Sequence, residues 1–600
     1  MDRLNHNLEM PKRRYLLLLL LLWSFIYLLS AVNSPPLLDD ADSVHAEAAR
    51  EMAETSDWIT LHANRIRYLE KAPLMYWSVA ASYKIFGVSE FSSRLPIALA
   101  TFGLMLATWL IGSHAFGARA GFYSAAIIAS CVGIFLFTRV LWPDVLLTML
   151  ISLAFYCFIR AREGRPATPR YVYGIYVFGA LGILTKGLIG AVFPAAIIGG
   201  YLVINGELRR LREFKLVTGP LLFLLVAAPW HILAGLSNKT FLWFYFVNEQ
   251  FKRYIGTRYP ADYDTVPLGL FLALHLVWLF PWSFFLPLAV KEVPRRIRQL
   301  DSEGSVALFC WVWVAMIILF FSFSTTQEYY TMPAYPAMAL LIARALTRAE
   351  GYAGERASTK LLPSMQAALT VLSVAVFGGS VVAYYLTRHA VVEGDISATL
   401  TRNPEAYALS LGHILDLTPQ SVAALRFPII GTGVVFLAGS VAALYFRLKR
   451  RHGAANVSLA LMMAAFFFFA NSALATFGPY LSSKALAEAI MREYKQGEVI
   501  VINGEYEGGS SINFYTREMV YILNGRTANL EYGSHFEDAP KIFLGDDDIA
   551  RMWSASNRVY LFTDGAAVET LTAKLDGPVF RFAESGGKVI LTNKLPTGTP

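Results

Sequence analysis

A helix that crosses the hydrocarbon core of a bilayer needs roughly 20 apolar residues in a row, and this chain supplies such runs again and again up to about residue 480. The first, Tyr15 to Val32, holds 18 residues without a charge and follows Lys12, Arg13 and Arg14. Its length, the absence of a small-residue cleavage site and the spans behind it mark it as an uncleaved first helix rather than a signal peptide. Further apolar stretches lie near 92 to 112, 119 to 137, 143 to 160, 171 to 186, 188 to 205, 216 to 236, 267 to 290, 305 to 324, 331 to 347, 361 to 387, 427 to 447 and 456 to 477, which makes thirteen. With 55% hydrophobic and 16% charged residues, a string of soluble domains is excluded.

The net charge of +8 matters through its distribution, because basic residues collect on the cytoplasmic side of a membrane. Arg160, Arg162, Arg165 and Arg170 form one cluster; Arg209, Arg210, Arg212 and Lys215 another; Lys291, Arg295, Arg296 and Arg298 a third. Arg344, Arg348, Arg356 and Lys360 follow, then Arg447, Lys449, Arg450 and Arg451. All five fall in phase with the basic N-terminus. The N-terminus is therefore expected in the cytoplasm and, after an odd number of spans, the C-terminus outside. The long loops 33 to 91, 237 to 266 and 388 to 425 then face outward. Nucleic acid is not implied, and Cys131, Cys157 and Cys310 sit in apolar runs without disulfide or thiolate-metal spacing.

After Phe477 the composition changes to short β-rich runs between turn residues. Val499 to Ile502, Met519 to Leu523, Lys541 to Leu544, Arg558 to Phe562 and Lys588 to Thr592 read as strands, and Ala485 to Tyr494 and Ala566 to Leu575 as helices. The expected fold class is an α-helical polytopic membrane protein of about thirteen transmembrane helices with a small C-terminal α/β domain. The expected domains are residues 1–480, including interfacial helices in the 33 to 91 loop, and residues 481–600 on the periplasmic face. No Gly-rich phosphate loop or internal repeat is found.

Charges that interrupt so apolar a chain at the outer interface are the candidate functional residues. Leu37-Leu38-Asp39-Asp40-Ala41-Asp42 places three carboxylates where the chain leaves the first span. They suit either capping of the following helix or a carboxylate poised as general base. Arg65-Ile66-Arg67-Tyr68-Leu69-Glu70-Lys71 precedes an amphipathic stretch, Leu74 to Phe86, that needs an apolar surface and so reads as an interfacial helix. A Glu70–Lys71 pair at that depth suits a polar or phosphorylated head group. Asp144 follows Pro143 at the start of the fourth span, a good helix start. Lys186 breaks an apolar run at the same outer level, where ionisable residues are functional candidates by default although a lysine can also snorkel. The aromatic-rich stretch Phe241 to Tyr263, with Tyr329 and Tyr330, fits either an interfacial belt or a trough for an isoprenoid tail.

Several motifs together resemble bacterial lipid-linked sugar transferases, the family of the lipid A aminoarabinose transferase and the protein O-mannosyltransferases. They include Ala46 to Met52, Asp57-Trp58, Tyr68-Leu69-Glu70-Lys71-Ala72-Pro73-Leu74-Met75-Tyr76-Trp77, Phe86 to Phe91 and Arg94-Leu95-Pro96. Pro143-Asp144, Leu184-Thr185-Lys186-Gly187, Asn248 to Tyr254, Phe280-Pro281-Trp282 and Tyr329-Tyr330-Thr331-Met332-Pro333 continue the likeness, which covers roughly residues 35 to 345. The resemblance implies the C-type membrane glycosyltransferase fold and transfer of a sugar from a polyprenyl phosphate carrier, with inversion, to a lipid A-like lipid, a glycan or a protein on the periplasmic face. It implies a carboxylate base in the first outer loop and an assisting Asp144 in the second. Family members commonly carry Asp-Glu where this chain has Asp40-Ala41-Asp42; we favour Asp40 as base and Asp42 as its partner. Glu70 and Lys71 match the pair near the donor phosphate, with Ala72 in place of the usual proline. The aminoarabinose transferases tend to carry a lysine shortly before the tyrosine that Thr325-Thr326-Gln327-Glu328-Tyr329 reaches without one, so donor or acceptor differs.

The leaving group is a phosphate already stable as an anion, so Lys71, Lys186 and Arg253 suffice to bind it electrostatically. The reading requires no cofactor and leaves room for a divalent metal; His45, His62 and His275 have no tight ligand spacing. A transporter or flippase for a lipid-linked glycan is the rival class. It calls for paired broken helices and midplane charges in related halves, whereas the informative charges here sit at the outer ends of early spans.

Overall fold

The computed structural model describes residues 11–260, 265–294, 300–324, 326–351, 361–392, 400 and 416–595. Arg295, Arg296, Arg298, Thr325, Arg356 and Lys360, and most of the 388 to 425 loop, lie outside the described residues.

Each of the thirteen apolar segments holds helix. Among the described residues, eight helices are long and apolar enough to cross a membrane, and a ninth if the bent pair Leu268–Trp278 and Trp282–Lys291 is one span. That pair turns by 98°. Pro281 lacks an N–H to continue the first helix, so the single span expected over 267 to 290 is two short arms. The 119 to 137 span is also interrupted: Ala118–Ser130 ends at Cys131, whose backbone is extended, before Val132–Phe137. Asp144–Glu163 carries its acid in the first turn and Arg160 and Arg162 in the last, which matches the helix dipole at both ends. Arg426–Leu448 packs between Leu361–Thr387 and His452–Leu481.

Ion pairs gather the basic clusters at one end of the bundle. Arg162 meets Glu207 at 3.1 Å, Arg344 meets Glu303 at 2.7 Å, and Arg119 and Arg447 share Glu350 at 3.0 and 3.2 Å. At the opposite end the 33 to 91 loop folds into the helix Ala41–Thr55, a hairpin of β1 (His62–Ala63) and β2 (Ile66–Arg67), and the helix Leu74–Phe86.

On this end lies a six-stranded sheet: β3 (Val499–Asn503), β4 (Val520–Leu523), β5 (Phe543–Leu544), β6 (Val559–Asp564), β7 (Phe580–Ser585) and β8 (Lys588–Thr592), in the order β5-β4-β3-β6-β8-β7. β5, β4, β3 and β6 run parallel, and β8 and β7 are antiparallel. The sheet is tied to the first outer loop. Asn64 exchanges two hydrogen bonds with the backbone of Val520, donating at 2.7 Å and accepting at 2.9 Å. Asp39 accepts from Lys588 at 2.6 Å, Ser483 at 2.7 Å and the Ser511 amide at 2.9 Å.

Candidate functional site

A cavity of about 480 Å³ opens at this outer end between the first outer loop, the second outer turn, the 243–258 segment and Tyr329-Tyr330. Of the residues expected from sequence, Asp40, Glu70, Lys71, Asp144, Lys186, Arg253, Tyr329 and Tyr330 line it; Asp42 does not.

The three consecutive acids go to three different places. Asp39 is held by the C-terminal part, as described. Asp42 is buried in the first turn of the Ala41–Thr55 helix. Its Oδ2 accepts from Arg94 at 2.6 Å and from the Leu38 amide at 3.1 Å, and its Oδ1 from the Leu141 amide at 3.1 Å. Arg94 also donates to the carbonyl of Pro35 at 2.6 Å. The Asp42–Arg94 pair thus fastens the first outer loop to the 139–144 turn, and through it Asp144 comes to the same cavity as Asp40.

Asp40 is the exposed one of the three and faces the cavity. Its backbone has φ 70° and ψ −136°, a conformation usually left to glycine. Tertiary contacts hold it there: its amide donates to the Glu507 carbonyl at 2.8 Å and to Ser510 Oγ at 3.0 Å. Capping does not account for this aspartate, because its side chain makes no cap hydrogen bond to the helix it precedes.

Asp144 is buried and pairs with Lys186 at 2.5 Å, while its Oδ2 has no hydrogen-bond partner among the described residues. Lys186 ends the helix Pro169–Lys186 because Gly187 adopts φ 79°. That left-handed backbone is what calls for the glycine; a Cβ there would meet only the movable amide end of Gln250, at 2.6 Å. The Lys186 ammonium lies 4.9 Å from the rings of both Tyr329 and Tyr330, and Tyr329 stacks on Trp142 at 4.0 Å. The two tyrosines therefore wall the cavity around a cation.

Opposite stands a network the sequence did not reveal in full. Glu70 pairs with Lys71 at 2.7 Å and with Arg258; Arg258 also pairs with Glu249 at 2.7 Å, and Glu249 with Arg253 at 3.4 Å. Burial alone would raise the Glu70 carboxyl, but Lys71 and Arg258 outweigh it and hold the acid below its ordinary value. Burial, with Glu70 as neighbour, raises Glu249. Among the described residues, three cations meet two carboxylates here.

Arg258 and Glu249 were not singled out from sequence. Arg258 follows Gly256 in an irregular loop where no periodicity marks it, although the i,i+4 spacing of Glu249 and Arg253 was a signal for those two. His45 also lines the cavity, accepting or donating at 2.7 Å to Tyr76. Burial, reinforced by Lys71, lowers its pKa to about 3, so the imidazole is neutral. Among the described residues no three His, Cys, Asp or Glu side chains are grouped as a bound metal ion requires.

The C-terminal part reaches the cavity through Asn529. The Asn529 amide donates to Glu507 Oε1 at 3.2 Å, and burial, with Asp40 nearby, pushes the Glu507 carboxyl up to about 7. Tyr532 stacks on Phe244 at 3.6 Å and bonds Thr240 at 2.6 Å, which fixes this segment over the 238–260 loop.

Residues 70–233 match the family model described as dolichyl-phosphate-mannose-protein mannosyltransferase. The chain is 28% identical over 330 residues to an undecaprenyl phosphate-alpha-4-amino-4-deoxy-L-arabinose arabinosyl transferase of Aeromonas salmonicida, with 54% of this chain and 58% of the relative covered. It is 29% identical over 337 residues to that of Aeromonas hydrophila, with the same coverage. The matched part thus spans a little over half the length of these curated relatives. The crystal structure of ArnT from Cupriavidus metallidurans bound to undecaprenyl phosphate superposes with a TM-score of 0.79 at 20% identity, covering 98% of both chains. Its apo state gives 0.78 over 97% of both. The chain resembles the aminoarabinose transferases in sequence and has their fold, a multi-pass helical membrane body with an α/β C-terminal part.

Proposed function

We propose that this chain is a membrane glycosyltransferase that moves a sugar from an undecaprenyl-type phosphate carrier to a lipid, glycan or protein acceptor at the outer face of a bacterial inner membrane. The N-terminus then lies in the cytoplasm. Residues 1–480 form the transferase body and 481–600 a periplasmic domain. The observation that carries this reading is one cavity that holds an exposed carboxylate, Asp40, together with Lys71, Arg253 and the Asp144–Lys186 pair. The names of the relatives, and the undecaprenyl phosphate in the related crystal structure, support it.

The chemistry follows from the residues. Lys71 and Arg253 bind the carrier phosphate, whose negative charge grows as the bond to the anomeric carbon breaks. Asp40 accepts the proton of the acceptor hydroxyl while that oxygen forms the new bond to the same carbon from the opposite side. The carrier phosphate leaves with the bonding electrons, and the configuration inverts. Asp144 fixes Lys186 beside Tyr329 and Tyr330. Asp42 holds the loop that presents Asp40 and does not touch the substrate, a narrower part than the partner-of-the-base role favoured from the sequence. Arg258 keeps Glu70 and Glu249 ionised together so that Lys71 and Arg253 stay aimed at the cavity.

The test is a pair of exchanges assayed in membranes with an undecaprenyl-phosphate-linked sugar. Asp40→Asn should cut transfer by roughly 10² to 10⁴ with thermal stability kept. Asp42→Asn should lower stability together with transfer, because it weakens a buried pair. A stable, fully active Asp40→Asn chain sinks the reading. Mass spectrometry of lipid and glycan extracts from cells with and without the protein identifies the acceptor.

A further inference from the structure

The backbone of Asp40 is divided between two parts of the molecule. Its carbonyl accepts from the Val44 amide at 3.1 Å, at the start of the Ala41–Thr55 helix. Its amide donates to Ser510 Oγ at 3.0 Å and to the Glu507 carbonyl at 2.8 Å, both in the C-terminal part. A residue other than glycine stays at φ 70° and ψ −136° only where its surroundings over-determine it. A turn toward relaxed backbone swings the amide off its C-terminal acceptors, so those acceptors decide where the carboxylate stands. Of the two, only Ser510 acts through a side chain.

Ser510 is itself held fast. It is buried, its hydroxyl shares a hydrogen bond with Ser43 at 2.7 Å, and it donates to the Glu507 carbonyl at 3.2 Å. A Cβ on Gly509 would come within 2.9 Å of the Phe562 ring, so the chain just before Ser510 lies tight on β6. Ser511, just after it, gives its amide to Asp39 at 2.9 Å. Adjacent serines thus take adjacent aspartates, Ser510 by the Asp40 backbone and Ser511 by the Asp39 side chain. The Asp42–Arg94 pair anchors the loop as a whole, whereas Ser510 acts on the one residue that carries the base. We propose that Ser510 is a positioning residue for transfer, holding Asp40 in the strained backbone that presents its carboxylate to the cavity. This rests on Asp40 as the base, and it makes the C-terminal part a component of the active geometry.

The experiment compares full-length chains in membranes, with transfer from an undecaprenyl-phosphate-linked sugar counted per folded molecule and the donor site probed with undecaprenyl phosphate. Ser510→Ala should lower the rate at saturating donor by roughly 10- to 100-fold, the cost of a reacting group misplaced by about 1 Å, with undecaprenyl phosphate affinity unchanged. In an Asp40→Asn chain, where no base remains to be placed, Ser510→Ala should cost nothing further. A loss by the same factor in both backgrounds marks a purely structural role and overturns the proposal. So does a wild-type rate in Ser510→Ala when Asp40→Asn has abolished transfer. Should the alanine chain fail to fold, Ser510→Cys, of nearly equal size and a weaker acceptor, is read against the same criteria. A fully active Asp40→Asn chain instead removes Asp40 as base, and this inference with it, whatever Ser510→Ala does.

Discussion

The outer and inner ends of this protein each bury a network of basic side chains and glutamates. At the outer end, Lys71, Arg253 and Arg258 face Glu70 and Glu249; at the inner end, Arg119 and Arg447 face Glu350. The surroundings separate them. The outer cations Lys71 and Arg253 keep about a quarter of their side chains exposed, at 26% and 25%, beside a polar cavity. Arg447 and Glu350 are at 0% and 1% beside an apolar one. Burying ions costs several kcal/mol each and is offset only by partners. A network whose cations reach an open polar space can therefore exchange a protein partner for a substrate phosphate, whereas a sealed one contributes mainly architecture and a field at its edge.

Removing one buried cation at each end tests that contrast most strongly. Arg258→Met leaves Glu70 and Glu249 buried against each other and should cost about 3 to 5 kcal/mol, read as a lower thermal midpoint in detergent together with lost transfer; a midpoint like that of the wild type would break the comparison at its outer end. Lys71→Ala should weaken donor binding by roughly 10- to 100-fold, the usual worth of a hydrogen bond to a charged group, with the thermal midpoint nearly unchanged. Donor affinity from equilibrium binding decides this one, since loss of turnover alone would leave phosphate recognition unsupported. Arg447→Met leaves Glu350 with Arg119 and Asn456, so the expected cost is only about 1 to 3 kcal/mol, and transfer per folded molecule should be retained. An inactive but well-folded Arg447→Met chain would couple the two ends.

The smallest effect concerns Glu507, whose carboxyl is raised from 4.5 to about 7 by burial. An acid raised on folding binds more protons in the native than in the unfolded state, so stability falls as pH rises from the lower value through the higher. Between pH 5 and 6 the wild-type chain should lose about 1 kcal/mol relative to Glu507→Gln. Parallel stability curves for the two proteins would place Glu507 in a wetter setting than the one described.

The spans were readable because hydrocarbon thickness imposes a run length that few other constraints mimic. Breaks inside spans were less so: Pro281 was visible, but the extended backbone at Cys131 depends on how Val132 and Phe280 meet, with the Val132 amide 3.3 Å from the Phe280 carbonyl. In the C-terminal part, β7 was missed because Arg581 and Glu584 spoil the strand pattern, as charges on an edge strand do. The helix Ser510–Thr516 was missed because Gly508-Gly509 reads as a turn. In the site, the first-loop acids, Asp144 and Lys186 stood out as charges in an apolar chain. Their division of labour did not, because the partners that separate Asp39, Asp40 and Asp42 lie at Lys588, Ser510 and Arg94. Arg258 and Asn529 carry no local signal at all.

The bond between Asp39 and Lys588 joins positions 549 residues apart. At a synthesis rate of roughly 5 to 20 residues per second, the lysine emerges about half a minute to two minutes after the aspartate. The acid next to it in sequence likewise waits for the neighbours that hold its unusual backbone, Glu507 and Ser510, the latter 470 residues further on. The chain therefore spends most of its own biogenesis with its outer mouth unassembled, and a ribosome that stops before the last strands leaves a membrane-inserted body whose first loop is tied without its lysine.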